Sequence, residues 1–348
     1  MHFLKLPKIL NQFLLICTLY SRMFRVYKLS DFLKKNQYSF QNNGSTFFQN
    51  PDFLNYHGDR FNNVVFAFYD NSNLITYITI NSENSKAISH SGSTYGGFVQ
   101  KKELSSSECL KIIDLFLKEL TTCKFNELII KFSPEIFIEE KFNKLNNLLK
   151  EKLILNYQEE TTYINLDNYY PDNLRKSNFK KGHISDIKEF AKQKNFNVRN
   201  VNDKTSIGNY YEMLSVNLNK FDKVPTHSFD ELYYLVTKFP KNIEISVLET
   251  QHKLIAGLTK FKFNEITIHN FYSSMDYSLS NKFRGGLKYL YNYEMTKAKE
   301  EGFKFYNFGI DVKHGEKPNK NLRYFKLGFG GLNIKRSNYS AKLKNLKI

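Results

Sequence analysis

The chain has 348 residues, 51 of them Lys or Arg and 34 Asp or Glu, for a formal net charge of +17, and 41% of its residues are hydrophobic. That length suits two domains of roughly 150 residues each, and the apolar content excludes a disordered chain. No uncharged apolar run approaches the roughly 18 residues that cross a bilayer, which excludes a polytopic membrane protein. The cysteines (Cys17, Cys109, Cys123) form no CxxC pair, which argues against a disulfide scaffold or zinc ribbon and for a reducing cytoplasm.

The positive charge favours anionic partners, although abundant Lys, Asn, Ile, Phe and Tyr without Trp is also what an AT-rich coding sequence produces. Its distribution is more telling: from residue 313 onward Glu316 is the only acid among ten Lys and Arg. At the other end, Lys5 and Lys8 precede an uncharged stretch over 9–21 that is interrupted by Asn11 and Gln12. Residues 1–22 read as an upstream start or extension, a membrane-surface anchor or a cleaved signal. The missing A-x-A-like site argues against secretion.

The β-branched and aromatic runs at 63–70 and 74–80 predict a hairpin across Asn71-Ser72-Asn73. A Ser-rich start and apolar residues at Leu110, Ile113, Leu117 and Leu120 predict a helix over 105–123. Next come a strand at 127–132, an amphipathic helix at 138–153 and a strand at 160–166. A polar, basic connector at 167–181 sets the expected domain boundary, giving an extension (1–22), one domain over 23–170 and another over 171–348. The second half repeats the grammar: helices at 183–194, 206–218 and 229–238, and strands at 242–249, 254–263 and 265–273. A long helix at 286–301 ends at Gly302, its C′ glycine. A strand at 303–308, a short helix at 322–328 and a strand at 332–339 in a terminal hairpin complete the chain. This element order resembles tandem acyl-CoA N-acyltransferase-like (GNAT) domains, an α/β class in which each domain has a mixed central sheet flanked by helices.

Residues 303–331 concentrate the chemistry. An apolar strand ending in Asn307-Phe308-Gly309 places a turn at the carboxyl edge of the sheet, where ligand sites of α/β folds gather. Lys326, between Phe325 and the Gly328-Phe329-Gly330-Gly331 turn, fits two readings. Its ammonium could steady an oxyanion or phosphate, or the aromatic residues are core and the lysine snorkels outward. Ahead of the long helix, Lys282-Phe-Arg284-Gly285-Gly286 could hold phosphate at a helix start or simply form the first turn. Asp311 and, second, Asp276 could remove a proton from an amine, or be ordinary turn aspartates. No nucleophile elbow, H-E-x-x-H or dense carboxylate cluster occurs, so direct transfer without a metal or covalent enzyme intermediate is expected.

The pattern Phe305-x-Asn-Phe-Gly309, then Leu322-x-x-Phe325-Lys326-x-Gly328-Phe329-Gly330, resembles the carboxyl-terminal signature of the Fem-type branch of the GNAT superfamily. Two further blocks resemble its polysaccharide-associated acetyltransferase relatives. One is Thr46–Phe61, with His57 and Arg60, followed by Ser89–Gly97, with His90, Tyr95, Gly96 and Gly97. The other is Val224-Pro-Thr-His227 through Phe239-Pro240. With Ile255-Ala-Gly257 the resemblance spans Thr46 to Gly331. It implies an acyltransferase that moves an acyl group from an acyl-CoA, acetyl-CoA foremost, to an amine-bearing small molecule or lipid-linked sugar in surface-polysaccharide assembly. The enzyme would be cytoplasmic, with a peripheral place at the inner membrane face open to it. The resemblance gives Lys326 and Phe325 the carbonyl oxygen, and the place of Asp311 just past the strand end makes it the first candidate for the base. Arg284, Gly285, Gly286 and Tyr272 fall on the donor, and His57, Arg60, His90, Tyr95, Gly96, Gly97 and His227 on the substrate groove. Three alternatives stand beside it: an aminoacyl-tRNA-dependent peptidoglycan-bridge transferase, a nucleic-acid-binding module and a non-catalytic scaffold. The first lacks a long heptad arm here. Ser89–Gly97 is expected to bare its backbone to a cleft.

Overall fold

The computed structural model describes residues 23–36, 45–250, 253–279, 281–311, 314–316 and 319–346, so residues 1–22 lie outside the described residues. The chain divides into two compact units, Met1–Gln158 with Arg336–Ile348, and Glu159–Lys335. Both are mixed α/β structures.

The first unit opens with β1 (Phe24–Lys28), α1 (Leu29–Lys35) and the short α2 (Pro51–Leu54). The expected hairpin follows as β2 (Asn63–Asp70) and β3 (Asn73–Glu83). Asn71 and Ser72 take φ of 45° and 80°, the left-handed geometry that matches the twist of the flanking strands. β3 pairs with β4 (Lys86–Ser89) and β5 (Val99–Gln100). After α3 (Ser106–Thr122), β6 (Glu127–Phe132) lies parallel to β4, and α4 (Lys144–Glu151) follows. Ile113, Phe116, Leu117 and Leu120 of α3 and Leu145 and Leu149 of α4 pack against Phe66, Ile78, Leu128 and Ile130, the inward side chains of the strands.

The sequence reading needs two corrections here. The helix expected over 138–153 forms only as Lys144–Glu151. The stretch before it is taken by 3-10 turns at Glu135–Phe137 and Glu140–Phe142. Pro134 starts the first of these, and single turns satisfy the same apolar spacing by burying Phe137 and Ile138. The last strand, β13 (Leu332–Lys342), does not form a terminal hairpin. It pairs antiparallel with β6, Ser337 opposite Phe132 through Lys342 opposite Glu127, so the end of the chain belongs to the first unit.

The second unit begins within β7 (Ile154–Asn165). It continues through α5 (Lys181–Ala191), β8 (Phe196–Val201), α6 (Lys204–Asn219) and α7 (Phe229–Lys238). The antiparallel meander β9 (Ile243–Thr250), β10 (Leu254–Lys262) and β11 (Thr267–Met275) comes next. The long α8 (Gly286–Glu300) then crosses to β12 (Phe305–Ile310), which lies parallel to β11 and antiparallel to β7. α9 (Lys320–Leu327) follows. Leu290, Tyr291, Met295 and Ala298 of α8 and Ile184, Ile187 and Phe190 of α5 cover Leu248, Ile255, Leu258, Ile268, Tyr306 and Phe308. An ionic cluster interrupts this apolar layer: buried Lys260 pairs with Glu294 and, at 3.3 Å, with Glu244. Burial would raise the Glu244 carboxyl, but Lys260, Lys262 and Lys297 hold it down at about 2. Among the described residues no helix is long and apolar enough to cross a membrane.

Candidate functional site

The parallel pair β11–β12 holds register only from Thr267 opposite Phe305 to His269 opposite Asn307. β11 runs on to Met275 and β12 to Ile310, and over those residues the two strands part. A bulge lies on each strand where they separate. Thr259 faces Tyr272 and Lys260 faces Asn270, which leaves Phe271 as the extra residue of β11. On β12 the register jumps between Asn307 and Ile310. Bulges end pairing and re-aim the strand, so the opening is built into the sheet.

Gly309 sits in the β12 bulge at φ +73°, where a Cβ would come within 3.3 Å of the His269 ring. Its N–H donates to Asn307 Oδ1 at 3.0 Å, and Thr161 Oγ1 donates to the same oxygen at 2.6 Å. Asn307 Nδ2 and Asn270 Oδ1 are buried without a hydrogen-bond partner. An amide donor and an amide acceptor therefore flank the parted strands unsatisfied, as expected where a ligand or water completes a site.

Lys326 lies at this end of β12. It is buried, and its Nζ donates to the carbonyls of Gly309 at 2.8 Å and Ile310 at 2.7 Å. The side chain therefore points inward rather than snorkelling. Asn319 caps α9 by accepting from Leu322 N–H. At its far end, Gly328 packs so closely on His183 that a Cβ would lie 2.1 Å from the ring. His183 Nε2–H donates to Phe325 O at 2.9 Å and the ring meets Phe329 edge-on. Burial, with the Lys288 cation, pushes His183 down to about 4, so it is a neutral donor that fixes the Phe325-Lys326 backbone. Asp311, at the end of β12, is buried, with Arg323 Nε 3.9 Å from Oδ2; Arg323 also pairs with Glu160. Asp276 accepts from Ser278 N–H and Oγ, a turn-capping geometry.

At the start of α8, Gly285 is the N-cap residue at φ +86°, and a Cβ there would lie 2.2 Å from Asp186 O. Only glycine lets α5 approach this closely. No side chain caps the helix. Asp186 receives Arg284 Nε at 2.9 Å and Lys288 Nζ at 2.5 Å, while most of the Arg284 side chain remains exposed. The result is an uncapped helix N-terminus with two cations and one carboxylate. Tyr272 does not join them: its hydroxyl accepts from His227 N–H at 3.1 Å and meets His227 Nδ1 at 3.0 Å, just before α7.

The first-unit residues pack differently. His57 stacks on His90 and meets Phe61 edge-on, and Gly92 lies against the His57 ring. Arg60 donates to His57 O and covers Tyr56. His90 Nδ1 accepts from Gly92 N–H, which leaves the proton on Nε2 facing Asn63 Oδ1 at 2.5 Å. Burial and neighbouring His57 push it down to about 3. Tyr95 is buried against Phe48, with Arg336 over its ring. The expected bared backbone at Gly96-Gly97 is instead engaged. Gly96 N–H donates to Lys131 O, Gly97 N–H to Ser89 Oγ, and both carbonyls accept from Gln49 Nε2. Gly96 is required because a Cβ would lie 1.8 Å from Ser89 O.

His183, Asp186, Lys288 and His269 did not emerge from the sequence. The first two lie one turn apart in Gly182-His-Ile-Ser-Asp186, a spacing that puts both on one helix face but is common in solvated helices.

No protein-family model matches the sequence, and no curated protein matches it. Solved structures do resemble it. FemX is 11% identical, with 86% of this chain and 93% of that chain covered and a TM-score of 0.65. L-PGS from Bacillus licheniformis is 15% identical over 91% of both chains, with a TM-score of 0.56. A conserved protein of unknown function from Bacteroides thetaiotaomicron is 13% identical over 91% of this chain and 98% of that one, with a TM-score of 0.53. These likenesses show that the chain shares the fold of FemX and L-PGS.

Proposed function

We propose that the chain is an N-acyltransferase that moves an acyl group from an acyl-CoA-type donor to an amine. The observation that carries this reading is the opening between β11 and β12 beside the uncapped start of α8. A thioester donor supplies an electrophilic carbonyl. Arg284 and the N–H groups after Gly285 suit its phosphates, and the unsatisfied Asn270 Oδ1 and Asn307 Nδ2 suit amide groups. The acceptor, an ammonium in water, loses a proton before its nitrogen attacks, and Asp311 is the carboxylate nearest the end of β12. The carbonyl oxygen becomes anionic on attack, and Lys326 supplies the positive charge there; collapse of the tetrahedral intermediate then breaks the C–S bond, and CoA leaves as a thiolate that takes up the proton the amine lost. The acceptor class, an amino sugar of surface-polysaccharide assembly, free or lipid-linked, rests on the Thr46–Phe61 and Ser89–Gly97 resemblance. That pathway would place the enzyme on the cytoplasmic side.

Thermal unfolding of the RNase-treated chain with acetyl-CoA, longer acyl-CoAs and charged tRNA tests the donor. A bound donor at a hundred times Kd adds about 2.7 kcal/mol and raises the melting temperature. A rise with an acyl-CoA is expected. A rise with charged tRNA alone would overturn the acyl-CoA donor in favour of a bridge transferase, and no rise with any donor would sink the transferase reading.

A further inference from the structure

β7 and β12 run antiparallel with Ile310 opposite Thr161, so the next residues on the two strands, Asp311 and Glu160, come side by side. Like charges placed opposite one another destabilise a strand pair. α9 supplies the cation between them. Arg323 lies three residues before Lys326, a spacing that puts both on one face of the helix. Lys326 reaches the carbonyls of Gly309 and Ile310, and Arg323 reaches the carboxylates just beyond. Glu159, the neighbour of Glu160, points to the other side of β7 and accepts from His314 N–H at 2.8 Å.

The guanidinium is shared unequally. Arg323 Nη2 donates to Glu160 Oε2, whereas its Nε stays 3.9 Å from Asp311 Oδ2, beyond hydrogen-bond reach. The Asp311 side chain is only 3% exposed, and its Oδ2 is buried without a hydrogen-bond partner among the described residues. The Glu160 side chain is 39% exposed, so water could solvate it without help from Arg323. The cation thus sits on the carboxylate that needs it less, and the buried one, which is costly to leave open, goes without.

We propose that Glu160 is a positioning residue: by engaging Arg323 it keeps the guanidinium off Asp311 and leaves Asp311 Oδ2 open to accept a proton. The inference rests on the transferase reading, in which an N–H bond of the acceptor breaks and an O–H bond forms on Asp311. A carboxylate oxygen bonded to a guanidinium has that place filled. Glu160 acts through Arg323 and not on the substrate.

Two measurements on the full chain test this. The first is a crystal structure of Glu160→Gln, in which Arg323 should close to hydrogen-bond distance, roughly 3 Å, from Asp311. The second is thiol release from acetyl-CoA with glucosamine as the amine. Glu160→Gln should lower kcat at least roughly tenfold and leave KM for acetyl-CoA unchanged, because only the proton acceptor is obstructed. Adding Arg323→Gln to that variant should recover most of the lost rate, a rescue that a merely structural role would not give. The melting temperature of Glu160→Gln should stay close to that of wild type, since exposed ion pairs contribute little. An Arg323 that stays away from Asp311 in the crystal, a wild-type kcat in Glu160→Gln, or a double variant as slow as the single one would each overturn the proposal. A wild-type chain that releases no thiol would count against the transferase reading instead, and the crystal contact would still decide which carboxylate holds Arg323.

Discussion

Both units join a parallel strand pair through a helix, β4–α3–β6 in the first and β11–α8–β12 in the second, but the two junctions are closed to different degrees. β4 stays paired with β6 along its whole length, from Lys86 opposite Glu127 to Ser89 opposite Ile130, and a further bridge joins Gly96 to Phe132. The start of α3 is sealed by a capping box. Glu108 accepts from Ser105 N–H at 2.7 Å, and Ser105 Oγ accepts from Glu108 N–H at 3.2 Å. The bonds from Ser105 hold the Glu108 carboxyl below its ordinary value, so this helix start already has its anion. In the second unit the strands part after three pairs, and α8 begins at a glycine with no side-chain cap, beside Arg284 and Lys288, which both pair with Asp186. The same element thus appears once sealed by a capping box and once without a side-chain cap.

The largest effect expected from this difference lies at Lys326. Lys326→Met should lower transfer roughly a hundredfold to a thousandfold, the usual loss when one oxyanion donor is removed. The ammonium also bonds two carbonyls at the end of β12, so the variant should lose about 1–3 kcal/mol of stability, read by urea unfolding. A variant with near wild-type turnover would remove the catalytic role and leave the β12 clamp.

Acid should reveal what the units share. Each hides a neutral histidine, His90 in the first at about 3 and His183 in the second at about 4, against an ordinary value of 6.5. Both values are depressed, so the unfolded chain binds protons that the folded chain refuses. Stability is therefore full above pH 6.5 and falls as pH drops toward the folded values. Between pH 6.5 and 4.5 each site should cost about 2 kcal/mol. His90→Gln and His183→Gln should each flatten that fall in unfolding experiments, and equal acid sensitivity in wild type and both variants would contradict the buried, neutral assignment.

Helices with their own punctuation were legible in the sequence. α3 is legible at 105–123 from its Ser-rich start, where Ser105 and Glu108 form a capping box, and the end of α8 from Gly302. Short strands without such marks were not: β1, β4 and β8 gain their stability from neighbours distant in the chain. The β6–β13 pairing is non-local, and local reasoning supplied a hairpin in its place. In the site, Lys326 and Asn307 lay within a quoted motif. The unsatisfied state of the Asn307 amide, by contrast, arises from two strands parting. Lys260 and Glu294 look like ordinary surface charges in sequence, and only the packing of α8 on β10 shows that they are buried against one another.

The smallest effect separates the two helix starts directly. Arg284→Ala should weaken the donor roughly tenfold, because most of the side chain is exposed and the N–H groups of α8 remain. Glu108→Ala, at the corresponding place in the first unit, should cost about 0.5–1 kcal/mol of stability through the lost cap and leave donor affinity unchanged. Donor titration followed by calorimetry, with melting of both variants, reads the two effects independently. A donor affinity that moved with Glu108 rather than Arg284 would transfer the ligand to the sealed junction. Glu108 would then have to leave its cap when the ligand arrives, and the closed first unit would be the one that opens.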